Sequence, residues 1–293
     1  LLIAVDFKVR LQALVTLTKP RIALMVLVTV AVGYILGAAG GPIALGKLAL
    51  TLVGTGLVAG GASAWNMILE RDRDARMKRT ASRPLPSGKL TMAEAVAFGS
   101  ALALGGVAIL YFGVNGLSSL VAAMTFVLYV VVYTPLKPLT SLNTAIGAIP
   151  GALPPVIGWA AASGRLGVEP WALFLIVFLW QFPHFLAIAW IYREDYARGG
   201  HKMLPNVDPD GSITGRQAMW HALQLVPAGL IPSLVGLGGK VYFVGALILG
   251  FFYFYYALKF WLDVNDRSAR KLLRASILYL PLILLLLLLN PGR

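Results

Sequence analysis

The chain has 293 residues, 58% of them hydrophobic and only 13% charged, with a mean hydropathy of +0.79. That is too little charge to cover a water-soluble domain of this size, so a soluble globular protein is excluded. The formal charge of +13 would suit nucleic acid, but in so apolar a chain the placement of the cations decides their meaning, and no nucleic-acid partner is expected. Cysteine is absent, which excludes disulfide frameworks, thiolate metal sites and thioether-linked haem.

Residues 1–20 read as a short basic segment, with Lys8, Arg10 and Lys19 but without the apolar region and cleavage site of a signal peptide. Nine apolar runs follow, at 24–36, 48–67, 96–112, 117–132, 144–162, 171–191, 219–237, 242–262 and 275–289. A helix needs roughly 20 apolar residues to cross the hydrocarbon core, and these runs approach that length. They fill nearly the whole chain, so one integral membrane domain over residues 1–293 is expected, all-α and polytopic. Under this alternation only Lys47, Arg165, Lys240 and Arg293, of 25 Lys and Arg, fall on the outer side. So steep an asymmetry puts the N-terminus in the cytoplasm and the C-terminus outside. The outer connections are short and Gly-rich. Two inner ones, 71–91 and 192–216, are long and carry the chemical groups.

The second span ends in Asn66, Glu70 and Asp74, an N-x-x-x-E-x-x-x-D pattern whose spacing of four puts three oxygens on one helical face, with Asp72 off it. Hard oxygen groups at a membrane boundary suit Mg²⁺, which takes one or two carboxylates plus phosphate oxygens. The plainer reading is a charged helix end. Asn66, an amide one turn inside an apolar run, speaks against that. Arg83 follows in the Pro-braced Arg83-Pro84-Leu85-Pro86 turn and is suited to an anionic group. Tyr133-Thr134-Pro135-Leu136-Lys137 closes the fourth span; Lys137 reads either as an anion contact or as a topology marker. Within the sixth span, Trp180-Gln181-Phe182-Pro183-His184 holds a histidine at membrane depth, read either as packing, as a proton-handling group or as a haem-iron ligand. Past that span come Tyr192, Glu194, Asp195, His201 and Lys202. Asp195 is expected to bind a second metal ion and Lys202 a phosphate. Together the two clusters describe a metal-bridged diphosphate held between two acidic patches.

The Asn66 to Asp74 pattern with Arg83 to Gly88 resembles the first signature of the UbiA superfamily of intramembrane prenyltransferases. The Tyr133 to Lys137 block, the Ala148 to Trp159 run, the Trp180 to Phe185 block and the Tyr192 to Pro205 stretch are similar to its haem-farnesylating branch. Two departures stand out: Glu70 occupies a place where Asp is common, and Tyr192 and His184 sit where quinone-type members carry a second acidic motif. The resemblance implies nine helices around a central cavity, embedded in the lipid bilayer of a bacterial inner membrane, or less readily the mitochondrial one. It implies Mg²⁺-dependent use of farnesyl diphosphate, with haem B as substrate and haem O as product. A haem-modifying enzyme or terminal oxidase would then take that product. On this view Asn66, Glu70, Asp74 and Asp195 hold metal, with Lys202 among the catalytic groups. Arg83, Tyr133, Lys137, His184 and Tyr192 contact substrate. Two other readings are a prenyltransferase with a quinone-precursor or lipid acceptor, and a transporter of an anionic solute.

Overall fold

The computed structural model describes residues 7–38 and 41–292. Part of the N-terminal segment, part of the first outer connection and Arg293 therefore lie outside the described residues. Apart from one isolated bridge between Gly238 and Pro291, regular structure among the described residues is helical. A short helix α1 (Phe7–Leu17) precedes α2 (Pro20–Gly37) and α3 (Leu45–Leu69), and one turn, α4 (Arg71–Asp74), extends α3. Then come α5 (Met92–Gly113), α6 (Gly116–Val127), a π-helical turn (Leu128–Tyr133) and α7 (Thr134–Leu136). The second half holds α8 (Asn143–Ala152), α9 (Pro154–Ser163), α10 (Glu169–Ile191), α11 (Arg193–Arg198), α12 (Leu204–Val207), α13 (Ser212–Leu234), α14 (Lys240–Leu262) and α15 (Asp266–Leu289).

Among the described residues, eight helical stretches are long and apolar enough to cross a membrane, which makes this a multi-pass membrane protein. They match eight of the nine expected spans. The remaining one, 219–237, falls mainly on α13. That helix is 23 residues long but carries Arg216, Gln217, His221 and Gln224, and it packs between α10 and α14. Its polar side chains lower its hydropathy without preventing a buried position. The expected single span 144–162 is broken at Leu153, because Pro154 and Pro155 supply no N–H to the preceding turn.

Sequence-local signals account for several helix starts. Thr91 and Glu94 form a reciprocal capping box at α5, Asn265 and Ser268 do so at α15, and the Asn115 side chain accepts from Ser118 N–H at α6. In the interior, small residues let helices approach closely. Gly33 on α2 and Gly158 on α9 face each other so tightly that a Cβ at Gly33 would strike the Pro155 carbonyl, and one at Gly158 the Val30 carbonyl. The backbones of α2 and α9 are thereby clamped together. The main apolar core joins α10, α13, α14 and α15 around Tyr253, Phe260, Leu272 and Tyr279, all with no exposed surface.

Gly158→Ala is expected to destabilise the folded protein by about 1–3 kcal/mol, the cost of overpacking against backbone. Thermal unfolding in mild detergent measures it. An unchanged midpoint would contradict the clamp.

Candidate active site

The C-terminal end of α3 carries the first cluster. Glu70 caps the helix at φ −97° and ψ 4°, yet the helical bonds continue through it: Glu70 N–H donates to Asn66 O and Asp74 N–H to Glu70 O. Asn66, Glu70 and Asp74 therefore stay on one face. All three are buried, at 1%, 5% and 0% exposure, while Asp72 points to the surface.

Each of the three is met by a cation from a different segment. Lys19 Nζ donates to Asn66 Oδ1 at 2.7 Å. Lys137 Nζ lies 2.7 Å from Glu70 Oε1. Arg83 Nη1 reaches both oxygens of Asp74, at 2.8 and 2.6 Å. The expected anionic partner of Arg83 is thus, in this structure, Asp74 itself. Lys19 was not legible as a site residue, because a basic residue before a span reads as a topology marker. It is also the one non-glycine with positive φ among the described residues, at φ 50° and ψ 60°, placed between α1 and Pro20. Held in this left-handed conformation, it turns its side chain back onto α3.

The electrostatics follow from burial and these pairs. Burial pushes the Glu70 carboxyl up, but Lys137, His201 and Lys19 outweigh it and hold it below the usual range. Burial of Asp74 wins over Arg83, so that its pKa is raised. Burial, then repulsion from Arg83 and Lys137, brings Lys19 down to about 7. Burial also acts against the charged form of Lys137, but Tyr133 and Glu70 overcome it and hold its pKa well above the ordinary value.

Local backbone departures place the fourth span's contribution. Pro135 cannot donate to the preceding turn, and just before it the helix widens into the π turn. Thr134 N–H and its hydroxyl both donate to Tyr129 O, and its oxygen accepts from Asn66 Nδ2 at 3.2 Å. The Lys137 ammonium rests over the Tyr133 ring, 4.7 Å from its centroid. Asn143 Nδ2 donates to the carbonyls of Thr140 and Lys202, and Lys202 N–H donates to Lys137 O. The main chain of Lys202 is therefore bound to Lys137, while its ammonium is exposed.

Asp195 occupies a different environment from the one expected. Its oxygens accept from the backbone N–H groups of Lys78 and Arg79, both at 3.1 Å, and from Arg198. These bonds hold its carboxyl below the usual range despite burial. Asp195 thus joins the two long loops, and Arg73 repeats the join by donating to the Gly199 and Gly200 carbonyls. Arg79 lies over the Tyr192 and Tyr196 rings. A hollow of about 500 Å³ opens here, lined by Lys78, Arg79, Tyr192 and Arg198 among others. His201, also missed as a site residue, is buried beside this join with its Nδ1 unpartnered, and burial lowers its pKa to about 4.

His184 stands apart from the Glu70 cluster. It stacks on Trp180 at 4.8 Å, and its Nδ1 lies 2.7 Å from Ser276 Oγ on α15. Ser276 spends its own hydrogen on Leu273 O, so Nδ1–H is the donor and Nε2 is left as an acceptor.

The donor set fits a divalent cation with a diphosphate. Asn66, Glu70 and Asp74 offer hard oxygens, and the three surrounding cations suit the phosphate oxygens such an ion would bring. Among the described residues no three acidic or histidine side chains converge on one point, so the phosphates would have to complete the coordination.

Residues 26–285 match the UbiA prenyltransferase family. Protoheme IX farnesyltransferase from Solibacter usitatus is 48% identical over 95% of this chain and 98% of its own length. A solved digeranylgeranylglyceryl phosphate synthase superposes with a TM-score of 0.80 at 18% identity, covering 96% of this chain and 98% of that one. A UbiA homolog from Archaeoglobus fulgidus bound to GPP and Mg²⁺ gives 0.64 at 16% identity, covering 94% and 99%. These solved structures share the fold.

Lys137→Met leaves the Glu70 charge buried and unpaired, and is expected to cost about 3–5 kcal/mol of stability. Adding Glu70→Gln should recover most of that loss. A double-mutant cycle by denaturant unfolding in detergent measures both. A single substitution costing under about 1 kcal/mol, the value of an exposed pair, would show that the pair is not buried in solution.

Proposed function

The chain belongs to the UbiA prenyltransferase family, and from that premise we propose that it transfers a farnesyl group from farnesyl diphosphate to a vinyl group of haem B, giving haem O. The observation that carries the reading is the buried cluster in which Asn66, Glu70 and Asp74 each face a cation from another segment. The acceptor and the prenyl length rest on the relative from Solibacter usitatus, named for protoheme and farnesyl.

Asn66, Glu70 and Asp74 would hold Mg²⁺, which when bound supplies neutralising charge to the departing diphosphate. The Archaeoglobus fulgidus homolog, bound to GPP and Mg²⁺, supports Mg²⁺ as the ion. Lys19, Lys137 and Arg83 take the phosphate oxygens. The allylic C–O bond breaks with its electron pair leaving on the diphosphate, and fixed cations stabilise the charge that develops. The vinyl π electrons form the new C–C bond. Water then adds to the vinyl-derived cation and loses a proton. Tyr133, packed under Lys137, keeps that ammonium aimed at the site. Asp195 acts as a positioning residue by fixing the loop from Lys78 to Arg83. Tyr192 and Lys202 border the phosphate side, and His184, with Nε2 free, is assigned to the porphyrin. The cation asymmetry favours a cytoplasmic N-terminus, and the relative from Solibacter usitatus favours a bacterial inner membrane as the setting.

Purified protein given haem B, farnesyl diphosphate and Mg²⁺ should release diphosphate and form haem O. Glu70→Gln and Asp74→Asn should each lower turnover about 10²–10³-fold, the scale seen when one group that stabilises developing charge is lost. Retained turnover in both variants would remove the assigned roles. Prenyl transfer only to a quinone precursor would keep the chemistry and overturn the acceptor.

A further inference from the structure

A cavity of about 730 Å³ opens between α14 and α15, separate from the Glu70 cluster. It lies at the same end of the bundle as the two long loops, because Arg193 at the end of α10 pairs with Asp266 at the start of α15. Lys259, Arg267, Lys271 and Arg274 all line it, with Asp263 the one carboxylate among the lining residues. None of the four cations has a carboxylate within 4.0 Å among the described residues; Lys259 instead sits 5.8 Å from the Tyr255 ring centroid. A topology signal requires cations on one side of the membrane but does not require four of them to converge on one hollow.

The wall beneath these charges is apolar. Tyr255, Tyr256 and Leu278 line the cavity. By helical spacing the same face of the hairpin continues through Ile248 and Val241 on α14, and through Leu282 and Leu285 on α15, all exposed. The outer face of the hairpin therefore runs from unpaired cations through aromatic rings to an aliphatic track. Buried Tyr253, Phe260, Leu272 and Tyr279 fill the opposite side of the hairpin. That packing closes the cavity off from the helices behind and leaves it facing the bilayer.

We propose that this groove is a binding site for an anionic phospholipid. The headgroup phosphates lie among Lys259, Arg267, Lys271 and Arg274, and the acyl chains follow the aliphatic track. Four cations against one carboxylate favour a lipid with two phosphates over one with a single phosphate. The residues belong to none of the groups assigned to diphosphate or porphyrin, so the site is independent of the reaction.

The test is lipid retention by purified, delipidated protein in detergent, read by native mass spectrometry with cardiolipin, phosphatidylglycerol or phosphatidylcholine supplied. Cardiolipin should be retained in preference to phosphatidylglycerol, and both over phosphatidylcholine. The Arg267→Gln, Lys271→Gln, Arg274→Gln triple variant should weaken cardiolipin binding about a hundredfold while diphosphate release in detergent stays unchanged. The charge-keeping Arg267→Lys, Arg274→Lys variant should retain the selectivity, and raised salt should erode it in the unaltered protein, so the proposal stays testable if the triple variant fails to fold. Equal retention of all three lipids, or full cardiolipin binding by a folded triple variant, would overturn it. So would inorganic phosphate displacing cardiolipin at equal concentration, which would mark a site for free anions rather than for lipid.

Discussion

The organising constraint is the burial of two carboxylates and an amide at the end of α3, where the carboxylates need cations and the amide needs hydrogen-bond partners. Charge at a membrane boundary is costly unless paired. Here the partners come from three places far apart in sequence: Lys19 before α2, Lys137 after α7, and Arg83 in the loop that follows α4. Satisfying Asn66, Glu70 and Asp74 therefore fixes how the first, second and fourth spans meet. The second loop is then tied in through Asp195 and Asn143. One electrostatic requirement thus shapes both the fold at this end and the site.

The same arrangement has a chemical consequence. The carboxylates of the cluster are compensated by the chain's own Lys137 and Arg83, and Asn66 accepts from Lys19. Under the proposed function, Lys19, Lys137 and Arg83 would be in place before a diphosphate binds, which is the preorganisation that electrostatic catalysis requires. The backbone departures serve this placement. The left-handed Lys19 and the π turn before Pro135 are both irregularities that bring a side chain onto α3. Irregular backbone at membrane depth is tolerated where protein covers it, and Thr134 shows how: its N–H and hydroxyl both reach the Tyr129 carbonyl freed by the wider turn.

Much of this was legible in the sequence. Apolar runs located eight of the crossing helices, and spacing alone placed Asn66, Glu70 and Asp74 on one face. α13 reads as an ordinary span because its C-terminal part is apolar, while Arg216, Gln217, His221 and Gln224 along its first half stay exposed or half-buried. Lys19 is not legible as a site residue because nothing local predicts that a lysine before Pro20 adopts φ 50°. Asp195 reads as a ligand because an acidic residue at a span end is chemically suited to be one, and its place between the two long loops is not visible in the sequence. Its engagement by the Lys78 and Arg79 N–H groups depends on two loops more than 100 residues apart meeting. His201 was visible as a residue, but its burial beside Glu70 is a tertiary fact.

On the proposed reading, Asn66, Glu70 and Asp74 would take a divalent ion only together with a diphosphate held by Lys19, Lys137 and Arg83. Electron paramagnetic resonance of Mn²⁺ with the unreactive farnesyl thiolodiphosphate tests it most directly. A bound-ion signal with phosphorus couplings should appear only when both are present and disappear in Glu70→Gln. Tight Mn²⁺ binding without the diphosphate analogue, or an unchanged signal in Glu70→Gln, would contradict it.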